Sequence, residues 1–242
     1  MIHLYSIKVD NTLISKTMKT ILHALSAGNI EVENSRRLAD LKQLDATRIF
    51  LLKMDTKVYN GEHVVPIRLY FPTENAMSAG IEEGSTFPVL LFFHGGGWVT
   101  ESVENYDRVC SRMAQATAHI VVSVEYRLAP EHRNLAAAVC LLARDRGEFM
   151  PRRQILIYPA LGNCYTEKSP FRSVQENGSD YLLTAVKMED YLNLYQSSPS
   201  DRNNPYFAPI VEENLKNLPE TLILTAEYDP LRAEGEAYGK KL

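Results

Sequence analysis

His94-Gly95-Gly96-Gly97-Trp98 stands directly after the apolar run Phe87-Pro88-Val89-Leu90-Leu91-Phe92-Phe93. Glycines that follow a strand can turn successive backbone N–H groups toward one point with no Cβ in the way. An acyl-transfer reaction needs such a convergence to hold a developing oxyanion. A flexible turn or a phosphate cradle would also use glycines, but the flanking His94 and Trp98 and the preceding strand favour the oxyanion loop.

That loop needs a scaffold. Apolar residues recur at helical spacing over 11–49, which predicts two amphipathic helices joined around Gly28-Asn29. Two β-rich runs between 50 and 71 flank Asn60-Gly61 and predict an antiparallel hairpin. Residues 77–85 read as a loop. The run at 87–93, a helix over 106–117 and a second buried run at 119–124 make a βαβ unit. A largely apolar helix over 134–146 ends at Gly147, and 154–159 and 221–226 read as further buried parallel strands. The long segment between them, rich in Tyr, Pro, Ser and Asn, carries one weak helix near 184–195 and has the character of an active-site cover.

With 242 residues, 45% hydrophobic, the chain can bury one large core. A formal charge of −4 with scattered Lys and Arg offers no field for nucleic acid or anionic lipid, so a small neutral substrate fits better. No apolar run is long enough for a transmembrane helix and the first residues lack a signal-peptide pattern, which makes the cytoplasm the expected location. Cys110, Cys140 and Cys164 are far apart, with no ligand spacing, and read as buried thiols rather than a disulfide framework or a zinc site.

A resemblance becomes specific at Tyr126-Arg127-Leu128-Ala129-Pro130-Glu131. Together with His94-Gly95-Gly96-Gly97-Trp98, Tyr158-Pro159 and Glu227-Tyr228-Asp229-Pro230-Leu231-Arg232, in that order, it resembles the hormone-sensitive-lipase-like esterases. The resemblance implies an α/β-hydrolase fold: a mostly parallel sheet flanked by helices, with a helical cap from 1–50 and an insertion at about 163–218 of the main domain, 51–242. It implies a serine esterase or lipase acting on short-to-medium acyl esters without metal or organic cofactor, and it admits a homodimer. Gly95 and Gly96 would hold the oxyanion, with His94, Gly97 and Trp98 supporting the loop. Asp229 would be the triad acid, although an Asp-Pro pair alone only initiates a turn. Glu125, Arg127 and Glu131 read as structural, the first two as a salt-linked strand end, and His94 as a loop anchor rather than a base.

The departures from the family are equally specific. Its nucleophile sits on a strand-to-helix elbow, G-x-S-x-G, before a helix that begins Asn-Leu-Ala. Asn134-Leu135-Ala136 is present here, but Glu131-His132-Arg133 stands where the elbow should be. A crossover helix, the central strand and the elbow, ~30 residues or more, are missing. Ser26 and Ser78 mimic the elbow's wording without its setting, and Cys140 and Cys164 lack a nearby base. The family's histidine follows the acid, and none of the six histidines here lies beyond Asp229; a last strand and helix are expected to be missing too. Either the segments of a longer enzyme are run together or the deletion is real. The clean resumption at Asn134 favours the first, and loss of both Ser and His supports a second class, a non-catalytic binder like the gibberellin receptor, which resembles this family and has lost its histidine. An inert gene remnant is the third.

Overall fold

The computed structural model describes residues 3–7, 52–61, 63–79, 86–129, 136–147 and 149–242. The helices expected over 11–49 lie outside them. In chain order the elements are β1 (His3–Ile7), β2 (Lys53–Asn60), β3 (His63–Tyr70), α1 (Glu74–Ala79), β4 (Val89–Phe92), α2 (Asp107–Thr117), β5 (Ile120–Val124), α3 (Ala136–Arg146), β6 (Arg153–Ile157), α4 (Arg172–Asn177), α5 (Ala185–Tyr195), β7 (Glu220–Ala226) and α6 (Arg232–Lys241). They form two compact units, one of residues 52–129 and one of 3–7 with 136–242.

The first unit is a four-stranded sheet in the order β2-β3-β5-β4. β2 and β3 are the hairpin read from Asn60-Gly61, with Lys53 opposite Tyr70 and Gly61 at a φ of +58°. β3 runs antiparallel to β5, and β4 runs parallel to it across α2, which is the expected βαβ unit. Tyr70, Cys110, Ala114 and Val121 form the core under α2, with Leu90, Phe92 and Met113 against them. Arg68, 9% exposed, is satisfied by Asp55, Glu104 and Asp107, while Lys53 and the Tyr70 hydroxyl each reach Asp107 at 2.5 Å. The loop expected from residue 77 is helical up to Ala79. The Thr73 hydroxyl accepts the Ala76 N–H at 3.1 Å, and this cap starts a short helix that its small polar composition concealed.

The second unit holds an all-parallel sheet, β1-β7-β6. β1 was not foreseen; it lies parallel to β7, with Tyr5 opposite Leu224. Ala137, Leu141, Leu156, Leu161, Leu215, Ile223 and Tyr238 make one core among α3, α6 and the strands. Gly147, at a φ of +64°, closes α3 as read. Within the long insertion α5 is present, its first turn capped by Thr184 on the Lys187 N–H at 3.2 Å. The insertion also contains α4 and 3₁₀ turns at Pro199–Asn203 and Pro209–Val211.

β4 ends one sheet and β6 ends the other. β4 is wholly apolar and β6 is apolar over Ile155-Leu156-Ile157, yet Val89, Leu91, Ile155 and Ile157 are 44–56% exposed. Continuous apolar runs belong inside a parallel sheet, covered on both faces.

Candidate active site

β4 delivers the chain into the glycine loop. Gly96 has a φ of +117°, and a Cβ there would run into the Thr100 carbonyl. Gly97 (+59°) and Trp98 (+62°) follow in the left-handed region, the latter with its indole buried. The turn is closed by the Val99 N–H, the Thr100 N–H and the Thr100 hydroxyl, all donating to the Gly96 carbonyl at 3.2, 2.9 and 2.9 Å. The Gly96 C=O is thereby consumed. Among the described residues no acceptor meets the N–H of Gly95 or Gly96, so both donors remain open.

His94 is buried, its ring stacked on Tyr126 at 4.3 Å and on Tyr106 at 5.8 Å. Nδ1 meets the Gly95 carbonyl at 2.8 Å, and the Tyr126 hydroxyl donates to the His94 carbonyl at 2.6 Å. Burial holds its pKa below the ordinary histidine value, so the imidazole is neutral near pH 7 and serves as an anchor. The Ala129 N–H donates to the Trp98 carbonyl at 2.7 Å, so the segment after β5 braces the loop after β4. Tyr126 is a residue that sequence reasoning passed over; its place in the second motif was the only signal.

The expected Glu125–Arg127 link is not formed. Glu125 accepts the Val103 N–H at 2.9 Å and lies 3.9 Å from His94 Nε2, while Arg127 is exposed. Residues two apart at a strand end project alike only while the strand continues, and β5 stops at Val124. Glu131 is outside the described residues, as is Ser26; Ser78 lies on α1 rather than in a loop. Cys110 and Cys140 are buried, and burial pushes their thiols up to about 12 and about 11. Cys164 is half-exposed, contrary to the reading of all three as buried, because it lies in the turn-rich segment beyond β6. No cluster of three metal-ligating side chains occurs among the described residues.

Asp229 lies in the second unit, on the turn between β7 and α6. Burial raises its pKa, and the Leu231 N–H donated to Oδ1 at 2.8 Å opposes this. The turn is held from the insertion by α4. The Ser173 hydroxyl donates to the Pro230 carbonyl at 2.6 Å and accepts the Ala233 N–H at 3.0 Å. Four residues on, the Asn177 amide reaches the carbonyls of Glu227 and Asp229 at 3.2 and 3.3 Å. Both side chains are buried, and Arg232 adds bonds to Glu176 and the Glu227 carbonyl. No sequence signal marked Ser173 or Asn177, because their partners lie 50 or more residues away.

In the first turn of α6, Glu234 is fully buried. Its Oε1 accepts the Leu161 N–H at 2.7 Å and the Tyr165 hydroxyl at 2.8 Å, and Gly162 lies where any Cβ would strike the carboxylate. Burial raises its pKa to about 7.

Residues 90–133 and 134–242 match the family described as alpha/beta hydrolase fold, in two runs that meet between Arg133 and Asn134. The chain belongs to this family. Among relatives of this α/β hydrolase, an arylesterase of Saccharolobus solfataricus is 29% identical over 78% of the chain and 70% of the relative. An ethyl acetate hydrolase of Pseudomonas putida is 30% identical over 91% of the chain and 78% of the relative. A hyperthermophilic esterase from the archaeon Pyrobaculum calidifontis superposes with a TM-score of 0.77 at 32% identity, over 93% of the chain and 83% of the esterase. The esterase branch inferred from the motifs is therefore the right one. The ethyl acetate hydrolase alignment runs over 263 positions, more than the 242 residues of the whole chain. Relatives thus carry residues inside the aligned span that have no counterpart here, and the family match divides where the elbow unit was found wanting.

Proposed function

We propose that this α/β hydrolase is built for hydrolysis of small carboxylic esters by acyl transfer to serine. The Gly95 and Gly96 N–H groups hold the oxyanion, His94, Gly97 and Trp98 support that loop, and Asp229 orients the catalytic imidazole. The observation that carries this is the pair of glycine N–H groups that meet no acceptor among the described residues, on a loop whose Gly96 carbonyl and His94 Nδ1 are both engaged. The names of the relatives support it, and free cysteines fit a cytoplasmic setting. The nucleophile and imidazole are to be supplied outside these 242 residues, since the sequence has neither an elbow serine nor a histidine after Asp229.

The native protein should therefore hydrolyse p-nitrophenyl acetate, label with a fluorophosphonate, and have an intact mass above 27.4 kDa. A mass of 27.4 kDa with neither turnover nor labelling would remove the esterase reading. The missing serine and histidine would then favour the second one, a small-ligand binder on the same scaffold.

A further inference from the structure

The two ring nitrogens of His94 have different surroundings. Nδ1 faces the Gly95 carbonyl at 2.8 Å, and a carbonyl only accepts, so in the neutral ring Nδ1 carries the hydrogen and Nε2 presents a lone pair. That lone pair is buried and meets no hydrogen-bond partner among the described residues. It faces Oε1 of Glu125, 3.9 Å away, while Oε2 of the same carboxyl accepts the Val103 N–H at 2.9 Å. An ionised carboxylate there would set lone pair against lone pair at a buried acceptor. One proton on Oε1 removes the conflict, because a side-chain rotation that closes the gap by about 1 Å lets Oε1–H donate to Nε2.

We propose that Glu125 is a positioning residue for the two oxyanion donors, acting through the tautomer of His94. A trans peptide points its C=O and the following N–H in opposite directions, so whatever holds one residue's carbonyl aims the N–H of the next. Nδ1–H on the Gly95 carbonyl aims the Gly96 N–H, and the Tyr126 hydroxyl on the His94 carbonyl, at 2.6 Å, aims the Gly95 N–H. With Oε1 protonated, both ties are kept. When Glu125 releases its proton to solvent, the imidazole stays neutral but moves its hydrogen to Nε2, where it is donated to the carboxylate. Nδ1 then turns a lone pair to the Gly95 carbonyl. The Tyr126 hydroxyl, 3.2 Å from Nδ1, then donates there instead of to the His94 carbonyl, and both peptide planes lose their holders. Burial raises the pKa of Glu125 and lowers that of His94, which favours the proton on the carboxyl over the ring. The other groups facing the pair are Glu101, Glu104, Tyr106 and Tyr126 around His94, and Glu104 and Arg68 beside Glu125. Arg68 is itself bonded to Asp55, Glu104 and Asp107.

The relay rests on the reading of Gly95 and Gly96 as oxyanion donors, and two measurements separate them. Nitrogen-15 resonances of the histidines in the native protein, with His94 identified by its loss in His94→Gln, report the tautomer without turnover. On raising the pH, the hydrogen should move from Nδ1 to Nε2 in one step centred above 4.5, the ordinary glutamate value. Ring protonation is distinct from this step, since it puts hydrogen on both nitrogens. In Glu125→Gln the amide N–H donates to Nε2 and its carbonyl accepts the Val103 N–H, so the Nδ1–H form should persist throughout. The second measurement is kcat for p-nitrophenyl acetate. Both proteins share the catalytic imidazole, so the kcat ratio of Glu125→Gln to its parent isolates Glu125. That ratio should rise about tenfold through the same step, within the roughly hundredfold that a whole oxyanion donor contributes, with KM unchanged. A tautomer that does not change with pH, a step at or below 4.5, a step that survives in Glu125→Gln, or a constant kcat ratio would overturn the proposal. The pH course of the unaltered protein decides even if Glu125→Gln fails to fold. A native protein that shows the tautomer step but hydrolyses no ester keeps the link between Glu125 and His94 and counts against the esterase reading alone.

Discussion

Gly95 and Gly96 are the same residue type in one motif, but the backbone asks different things of them. Gly96, at +117°, occupies a region that side chains avoid, and its Cβ position is filled by the Thr100 carbonyl, which itself cannot move without opening the turn. Gly95 has an ordinary φ, and a Cβ there would lie 3.1 Å from the Tyr106 hydroxyl, the far end of a side chain that can shift. Gly96→Ala should therefore cost about 1–3 kcal/mol in urea unfolding, and Gly95→Ala less than about 1 kcal/mol. Equal losses would mean that the loop is not held as described. The loop itself was legible because its glycines are contiguous and follow a strand. Glu234 was not, since a charged residue at the start of a helix reads as solvated until Leu161 and Tyr165 are seen to enclose it.

Among the elements, those with a long or alternating apolar pattern were readable: the hairpin of β2 and β3, the β4-α2-β5 unit, α3, β6, β7 and α5. Those missed carry no such pattern. β1, His-Leu-Tyr-Ser-Ile, is as long as β5 and β6 but lacks their continuous apolar run, and α1 and α4 have six residues each, too few to establish a helical period. Yet α4 reaches the candidate acid's turn most directly, through Ser173 and Asn177 one helical turn apart. Ser173→Ala should leave α6 formed but free the Ala233 N–H and the Pro230 carbonyl from their shared partner. A lost hydrogen bond is worth about 1 kcal/mol, so the Ala233 amide should exchange with deuterium several-fold faster, while amides in the β2-β3 hairpin keep their rates. Ser173→Thr, which retains the hydroxyl, should restore protection. Unchanged exchange at Ala233 in the alanine variant would show that α4 does not hold the turn.

At the level of the whole molecule, buried carboxyls make stability depend on pH from both sides. Asp107 titrates below its ordinary value: burial raises its pKa, but bonds from Lys53, Tyr70 and Arg68 outweigh this. Its contribution is present above the unfolded value of 3.8 and is lost as the pH falls through the lower folded value. Glu234 works in the opposite direction. Its pKa rises from 4.5 to about 7, so its contribution is complete below 4.5 and is lost as the pH rises through about 7, where the folded chain must accept an unpaired buried charge. The shift corresponds to about 3 kcal/mol. The lowered pKa of His94 acts as well, with stability lost as the pH falls from the ordinary value of 6.5 through the lower folded one, so the slope of the unaltered protein alone does not isolate Glu234. The difference between the unaltered protein and Glu234→Gln does. The introduced amide keeps an acceptor for Leu161 and Tyr165 but cannot ionise, so the stability of the variant relative to its parent should climb by about 3 kcal/mol from about pH 5 to 8 and level off above. Urea unfolding followed by far-ultraviolet circular dichroism at intervals across that range measures it. A difference that stays constant with pH would mean that Glu234 does not titrate near neutrality and that Leu161, Gly162 and Tyr165 enclose it less completely than their hydrogen bonds indicate.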